Sequence, residues 1–169
     1  SGMPERDLWK RFFDPPRALM QMELNSQVCD AVEVGCGYGT FTIPVAKVIR
    51  GKIYAYDIDE EMIRITQAEV GKNGLKNVNA ILRDIIADGT GLPDGSVDYV
   101  MLFNILHVET PELLLRESNR VLRSGGKLGI IHWNYDPSTP RGPSMEIRPK
   151  PEACIRWAEQ AGFHSSKRW

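Results

Sequence analysis

The sequence predicts an α/β protein with a doubly wound, mostly parallel sheet and helices on both faces. Short apolar runs alternate five times with helical stretches, a rhythm that requires crossovers between parallel strands. The fourth run, Val97–Phe103, is apolar after Asp98, as a strand covered on both faces must be. The first three runs end in glycines or acids, and a sheet of this kind receives ligands beyond the carboxyl ends of its strands.

Ser1-Gly2 before Met3 reads as the scar of a cleaved tag. Residues 4–24 form an amphipathic preamble in which Trp9, Phe12, Phe13, Leu19, Met20, Met22 and Leu24 stand among charges. Pro15-Pro16 divide it into two short helical pieces, which either pack on the flank or act as a lid over a site. Val28–Val34 reads as the first strand, Thr40–Ile49 as a helix and Lys52–Tyr56 as the second strand. Asp59 caps the next helix, with Glu60 and Glu61 in its first turn and Met62, Ile65 and Ala68 on its buried face. Val78–Leu82 and Val97–Phe103 are the third and fourth strands. Thr110 and Pro111 open a helix whose Leu114, Leu115, Ser118, Val121 and Leu122 gather on one side, and Gly125-Gly126 stop it before a fifth strand, Lys127–Trp133. Residues 134–151 hold Pro137, Pro140, Pro143, Pro149 and Pro151, a density that predicts a long ordered loop at the ligand end of strand five. Pro151–Ala161 resumes a helix ended by Gly162, and Phe163–Trp169 reads as a sixth strand. The whole chain, 1–169, is expected to be one domain without internal repeats.

A length of 169 residues, 42% apolar and 25% charged, suits a globular domain and excludes a mainly disordered one. No apolar run approaches the ~18 residues of a bilayer crossing. A net charge of −1 predicts neither polyanion nor membrane binding, and the chain lacks a basic stripe with interleaved aromatics, so neither a nucleic-acid nor a membrane partner is expected. Cys29, Cys36 and Cys154 show no Cys-x-x-Cys spacing, which argues against a disulfide framework or a metal site. No basic-then-apolar signal peptide is read after Met3, and a reducing, cytoplasmic setting is the expectation.

Val32-Glu33-Val34-Gly35-Cys36-Gly37-Tyr38-Gly39-Thr40 runs from a strand through a glycine-rich turn into a helix. Glycines there admit positive φ and let a ligand lie on main chain. A dinucleotide fingerprint needs a third glycine five places after the first, and Thr40 stands there, which disfavours a nicotinamide-dependent oxidoreductase. Asp57, at the end of strand two, suits the two hydroxyls of a ribose, with Ile58 beside it for one face of an adenine. Asp84, after strand three, suits an exocyclic amine, and Ile85 the ring's other face; a salt bridge to a basic neighbour is the competing role for Asp84.

Taken together these segments resemble the class I S-adenosylmethionine-dependent methyltransferases. Val32–Thr40 matches the family's first motif, Asp57 its ribose position, Asp84-Ile85 its adenine pair, Leu92–Asp98 its entry to strand four, and Arg120–Leu128 its passage into strand five. The resemblance implies a Rossmann-like sheet and S-adenosylmethionine as cofactor, with S-adenosylhomocysteine as product. It implies that Glu33, Gly35, Cys36 and Gly37 hold the methionine portion and that Thr40 closes the motif. Asp57 then holds the ribose, Ile58, Asp84 and Ile85 frame the adenine, and Asn104 lies beside the sulfonium and its methyl. Cys36 reads as a spacer. The family's sheet ends in a hairpin of strands six and seven, and this chain ends where strand seven is expected, so either the sequence is cut short there or the sheet lacks its last strand. Methyl transfer from a sulfonium rests mainly on alignment and exclusion of water. If the acceptor must lose a proton, His107 is the candidate base because it titrates near neutrality, and His132 stands similarly. Trp133, Tyr135, Arg141, Arg148 and Lys150 are either receivers of a small-molecule acceptor or solvated loop residues. A cofactor-binding module without catalysis is the alternative.

Overall fold

The computed structural model describes residues 13–139 and 142–164. Ala31–Val34 (β1), Ile53–Asp57 (β2), Val78–Leu82 (β3), Val97–Phe103 (β4) and Leu122–Ile131 (β5) form one sheet in the order β3-β2-β1-β4-β5. Every pairing is parallel, with Glu33 opposite Ala55 on one side and Met101 on the other. The chain winds outward from β1 in both directions, so the crevice between the carboxyl ends of β1 and β4 is the switch point where such sheets bind ligands.

Alternate residues of β4 serve different layers. Tyr99, Met101 and Phe103 face a core with Leu19, Phe41 and Val45, while Val100 and Leu102 face one with Leu114, Leu115 and Cys154. The first layer is covered by Pro15–Gln21 (α1), Thr42–Val48 (α2) and Glu60–Lys72 (α3), the second by Ile85–Asp88 (α4), Pro111–Val121 (α5) and Pro151–Gln160 (α6).

Several elements differ from expectation for identifiable reasons. Pro15 and Pro16 begin α1 instead of breaking it, because Asp14 accepts from the Arg17 amide and proline tolerates a helix's first turn. The preamble before Phe13 lies outside the described residues. β1 starts three residues late: the amides of Cys29 and Asp30 donate to the Asp98 carboxylate, which ties β1's approach to β4 through a side chain. α3 buries Met62, Ile63 and Thr66, leaving Ile65 half-buried and Ala68 exposed, because its inner face meets Ala55 and the glycine loop. α5 ends at Val121 and β5 begins at Leu122, before Gly125-Gly126. The Thr110 side chain makes no cap bond. Those glycines lie instead at the irregularity opposite Val97 and Tyr99, where a Cβ on Gly126 would come within 2.8 Å of the Arg123 carbonyl. β5 stops at Ile131, two residues short of Trp133. Residues 134–150 carry neither helix nor strand where described, and the expected sixth strand falls largely outside the described residues.

Candidate active site

β1 delivers Glu33 and then a turn in which Gly35, Gly37 and Gly39 have φ of 77°, 52° and 75°. The amides of Gly35 and Cys36 donate to the Tyr56 carbonyl at 2.8 and 2.9 Å, locking the turn onto β2. A Cβ on Gly39 would lie 3.2 Å from Thr66 Oγ1, so this third glycine lets α3 close on the turn, the packing role a dinucleotide fold assigns one residue later. Thr66 Oγ1 donates to the Gly37 carbonyl at 2.9 Å. Thr40 is half-buried. Thr66 braces the turn and Thr42 holds Glu33 ahead of it, and neither was foreseen; their only sequence signal is a small hydroxyl on a buried helix face.

Glu33 is buried and accepts from Thr42 Oγ1 at 2.5 Å. Burial pushes its carboxyl up to about 8, with Asp57 adding to the rise and the Thr42 bond opposing it. Cys36 is also buried, and desolvation, with Glu33 and Asp57 adding to it, pushes its thiol far above the ordinary range. A thiol that stays protonated is no nucleophile.

Asp57 ends β2 with both oxygens engaged. Oδ2 accepts from the Gly37 amide at 2.9 Å and Oδ1 from the Asp59 amide at 3.0 Å, and each oxygen keeps a lone pair for a hydroxyl. Ile58 next to it is 75% exposed, an open apolar surface beside a carboxylate. Asp84 makes no salt bridge among those described; it caps α4, its Oδ1 accepting from the Ile86 and Ala87 amides at 2.9 and 3.1 Å. Ile85 turns its side chain into the core at 5% exposure, so any contact it makes at this edge falls to main chain. Glu33, the glycine turn and Asp57 thus lie together at the carboxyl ends of β1 and β2, with Ile58 and Asp84 at the same edge of the sheet.

The carboxyl ends of β4 and β5 supply a second group. Asn104 has φ of 57°, a left-handed conformation that Asn tolerates, and its amide donates to the Ile131 carbonyl at 2.7 Å. Its side-chain nitrogen is buried without a partner among the described residues. Ile105 follows and packs on Gly35, where a Cβ would lie 3.2 Å from its Cδ1. The rings of His107 and His132 meet edge to face, centroids 5.7 Å apart. Nδ1 of His107 and both ring nitrogens of His132 are buried without a well-aligned partner among the described residues. Burial lowers His107 and takes His132 down to about 4, where His107 and Arg148 add to the fall and the Trp133 backbone opposes it.

The proline-rich loop is closed by Arg148. This buried side chain donates to the carbonyls of Asn134, Asp136 and Pro143 at 2.8 to 3.3 Å, so it holds the loop's own backbone. Gly142 folds back until a Cβ would meet the Trp133 ring at 2.7 Å. Trp133 stacks edge-on against Phe13 at 5.9 Å, which touches Phe41 at 5.3 Å, so the residues leading into α1 reach the carboxyl end of β5. Lys150 lies over the Tyr135 ring at 5.3 Å. Arg141 lies outside the described residues.

The parallel order, the glycine turn braced by an acid at β2 and the carboxylate at β3 define a class I methyltransferase fold with a Rossmann-like sheet. The pattern described as "Methyltransferase domain" matches residues 32–130, and the chain belongs to that family. A SAM-dependent methyltransferase from Aquifex aeolicus superposes with a TM-score of 0.83 at 28% identity, over 96% of this chain and 86% of that one. Demethylmenaquinone methyltransferase of Geobacillus stearothermophilus is 33% identical over 99 residues, 57% of this chain and 42% of the relative. Nocamycin O-methyltransferase of Saccharothrix syringae is 32% identical over 124 residues, 70% of this chain and 43% of the relative. The chain spans less than half the length of these two curated relatives. The cofactor of this class is S-adenosylmethionine, and the residues present fit it: bare main chain at the turn, a carboxylate for the ribose and an open apolar side chain for the adenine. Among the described residues no cluster of three metal-ligating side chains occurs, and no helix is long and apolar enough to cross a membrane.

Proposed function

We propose that this chain transfers a methyl group from S-adenosylmethionine to a small-molecule acceptor in a cytoplasmic setting. The observation that carries the reading is the Asp57 carboxylate, which braces the Gly37 amide on one side while offering free lone pairs beside the exposed Ile58. In this reading Glu33, Gly35, Cys36, Gly37 and Thr40 surround the methionine portion, Asp57 binds the ribose, and Ile58, Asp84 and the Ile85 main chain hold the adenine. Asn104 stands beside the methyl. When bound, the cofactor supplies an electrophilic methyl on a positively charged sulfur; the protein's part is to align the acceptor and exclude water. The small-molecule acceptor is supported by two relatives named for demethylmenaquinone and nocamycin. The three cysteines are free, which supports a reducing compartment. Neither a nucleic acid nor a membrane is a partner in this reading.

Calorimetry tests it. S-adenosylhomocysteine is expected to bind and NADH not to; binding of NADH alone would overturn the proposal.

A further inference from the structure

Buried polar atoms in folded proteins are nearly always hydrogen-bonded, so a cluster of exceptions calls for a cause. Five buried side-chain nitrogens or oxygens lack a well-aligned partner among the described residues, and four belong to Asn104, His107 and His132, whose ring meets only the Trp133 backbone, loosely. The three residues share one place: the Asn104 amide is bonded to Ile131, the residue before His132, and the two imidazoles touch at 5.7 Å. Ile105 sets this cluster directly against the glycine turn.

Resting on the methyl-transfer reading above, we propose that Asn104, His107 and His132 form the acceptor subsite and that it takes a hydroxyl-bearing small molecule, whose proton passes to His107. A neutral imidazole carries one donor and one acceptor, and an amide adds a donor, so the cluster matches a group that both donates and accepts. A hydroxyl is such a group. An ammonium is mismatched, because among the described residues no carboxylate acts on either ring and the Arg148 guanidinium adds positive charge near His132. In the transfer the acceptor oxygen bonds to the methyl carbon, the C–S bond breaks with its electron pair left on sulfur, and the hydroxyl proton moves to Nδ1 of His107. His132 is the positioning residue: it stays neutral, hydrogen-bonds the acceptor and holds the His107 ring edge-on.

The test uses the full chain carrying isotope-labelled histidine, saturated with S-adenosylhomocysteine and titrated by NMR with phenol or with its methyl ether, anisole. Phenol is expected to shift the ring signals of His107 and His132 and to bind at least about fivefold more tightly than anisole, the scale of a buried group left unsatisfied. His132→Phe is expected to erase that preference while keeping affinity for S-adenosylhomocysteine within about twofold; if that variant does not fold, His107→Gln carries the same expectation. Ring signals that phenol leaves unmoved, equal affinities for phenol and anisole, or a preference that survives the substitutions would each overturn the subsite. Failure of S-adenosylhomocysteine to bind would instead overturn the methyl-transfer reading, and the inference with it.

Discussion

The two halves of the crevice solve the same problem in opposite ways. On the β1–β2–β3 side the carboxylates are tied to main chain before any ligand arrives: Asp57 to Gly37 and Asp59, and Asp84 to Ile86 and Ala87. On the β4–β5 side the side-chain nitrogen of Asn104, Nδ1 of His107 and the ring nitrogens of His132 stand buried without a well-aligned partner among the described residues. Where the ligand is a constant, its site can be completed internally and held rigid. Where the ligand is particular to one protein, the open valences are the site, and their cost to stability is offset only when it binds.

The contrast can be broken most forcefully at Arg148, the side chain that closes the loop on the acceptor side. Arg148→Ala should cost about 2–3 kcal/mol by leaving the Asn134, Asp136 and Pro143 carbonyls without their charged donor. Thermal unfolding measures the loss, hydrogen exchange should localise it to residues 134–148, and S-adenosylhomocysteine affinity should hold within about twofold. An equal loss of cofactor affinity would mean that the halves are one unit. On the other side, Asp57→Ala should weaken S-adenosylhomocysteine at least tenfold, about 1.4 kcal/mol, by removing charge-assisted bonds to the ribose and the brace on Gly37. Calorimetry on the folded variant decides; unchanged affinity removes Asp57 from the site.

Gly39→Ala sharpens the claim that the turn is rigid. With φ of 75° and a Cβ 3.2 Å from Thr66 Oγ1, it should destabilise the fold by about 1–2 kcal/mol. Denaturant titration with Gly71→Ala, at a glycine whose Cβ would meet nothing, is the control and should cost nothing.

The smallest effect is a proton. Burial holds the Glu33 carboxyl up to about 8, so at pH 7 it is protonated, and an ammonium placed beside it by the ligand's methionine portion favours ionisation. Binding of S-adenosylhomocysteine should then release about one proton at neutral pH, falling toward none above pH 8, where Glu33 is already ionised. Calorimetry in buffers of different ionisation enthalpy reads it, and Glu33→Gln should abolish it. The same linkage gives the sign for His132: because its pKa is depressed from 6.5 to about 4, its contribution to stability is full above about pH 6.5 and is lost as pH falls through about 4. His132→Phe should flatten that part of the acid-unfolding curve.

β3, β4 and α6 were legible from local pattern, because apolar runs between turn signals need no distant partner to be recognised. The start of β5 was not: Gly125-Gly126 read as a helix stop, whereas Leu122 already pairs with Val97 in the neighbouring strand. The inner face of α3 was misjudged for a related reason. Apolar character favoured Ile65 and Ala68, but the turn beneath required the Thr66 hydroxyl, which bonds across 29 residues of chain. Asp84 illustrates a third kind of miss, since its capping role depends on α4, a helix too short to show periodicity.

The order of apolar runs determined the fold class, and the spacing of Gly35, Gly37, Gly39, Asp57 and Asp84 pointed to the edge where the cofactor is proposed to bind, because both follow from short-range rules of periodicity, backbone freedom and charge. Only the tertiary structure decided which side chains went without partners. Whether a nitrogen of His132 or Asn104 finds a hydrogen bond depends on every element packed around it, and no local pattern encodes that sum.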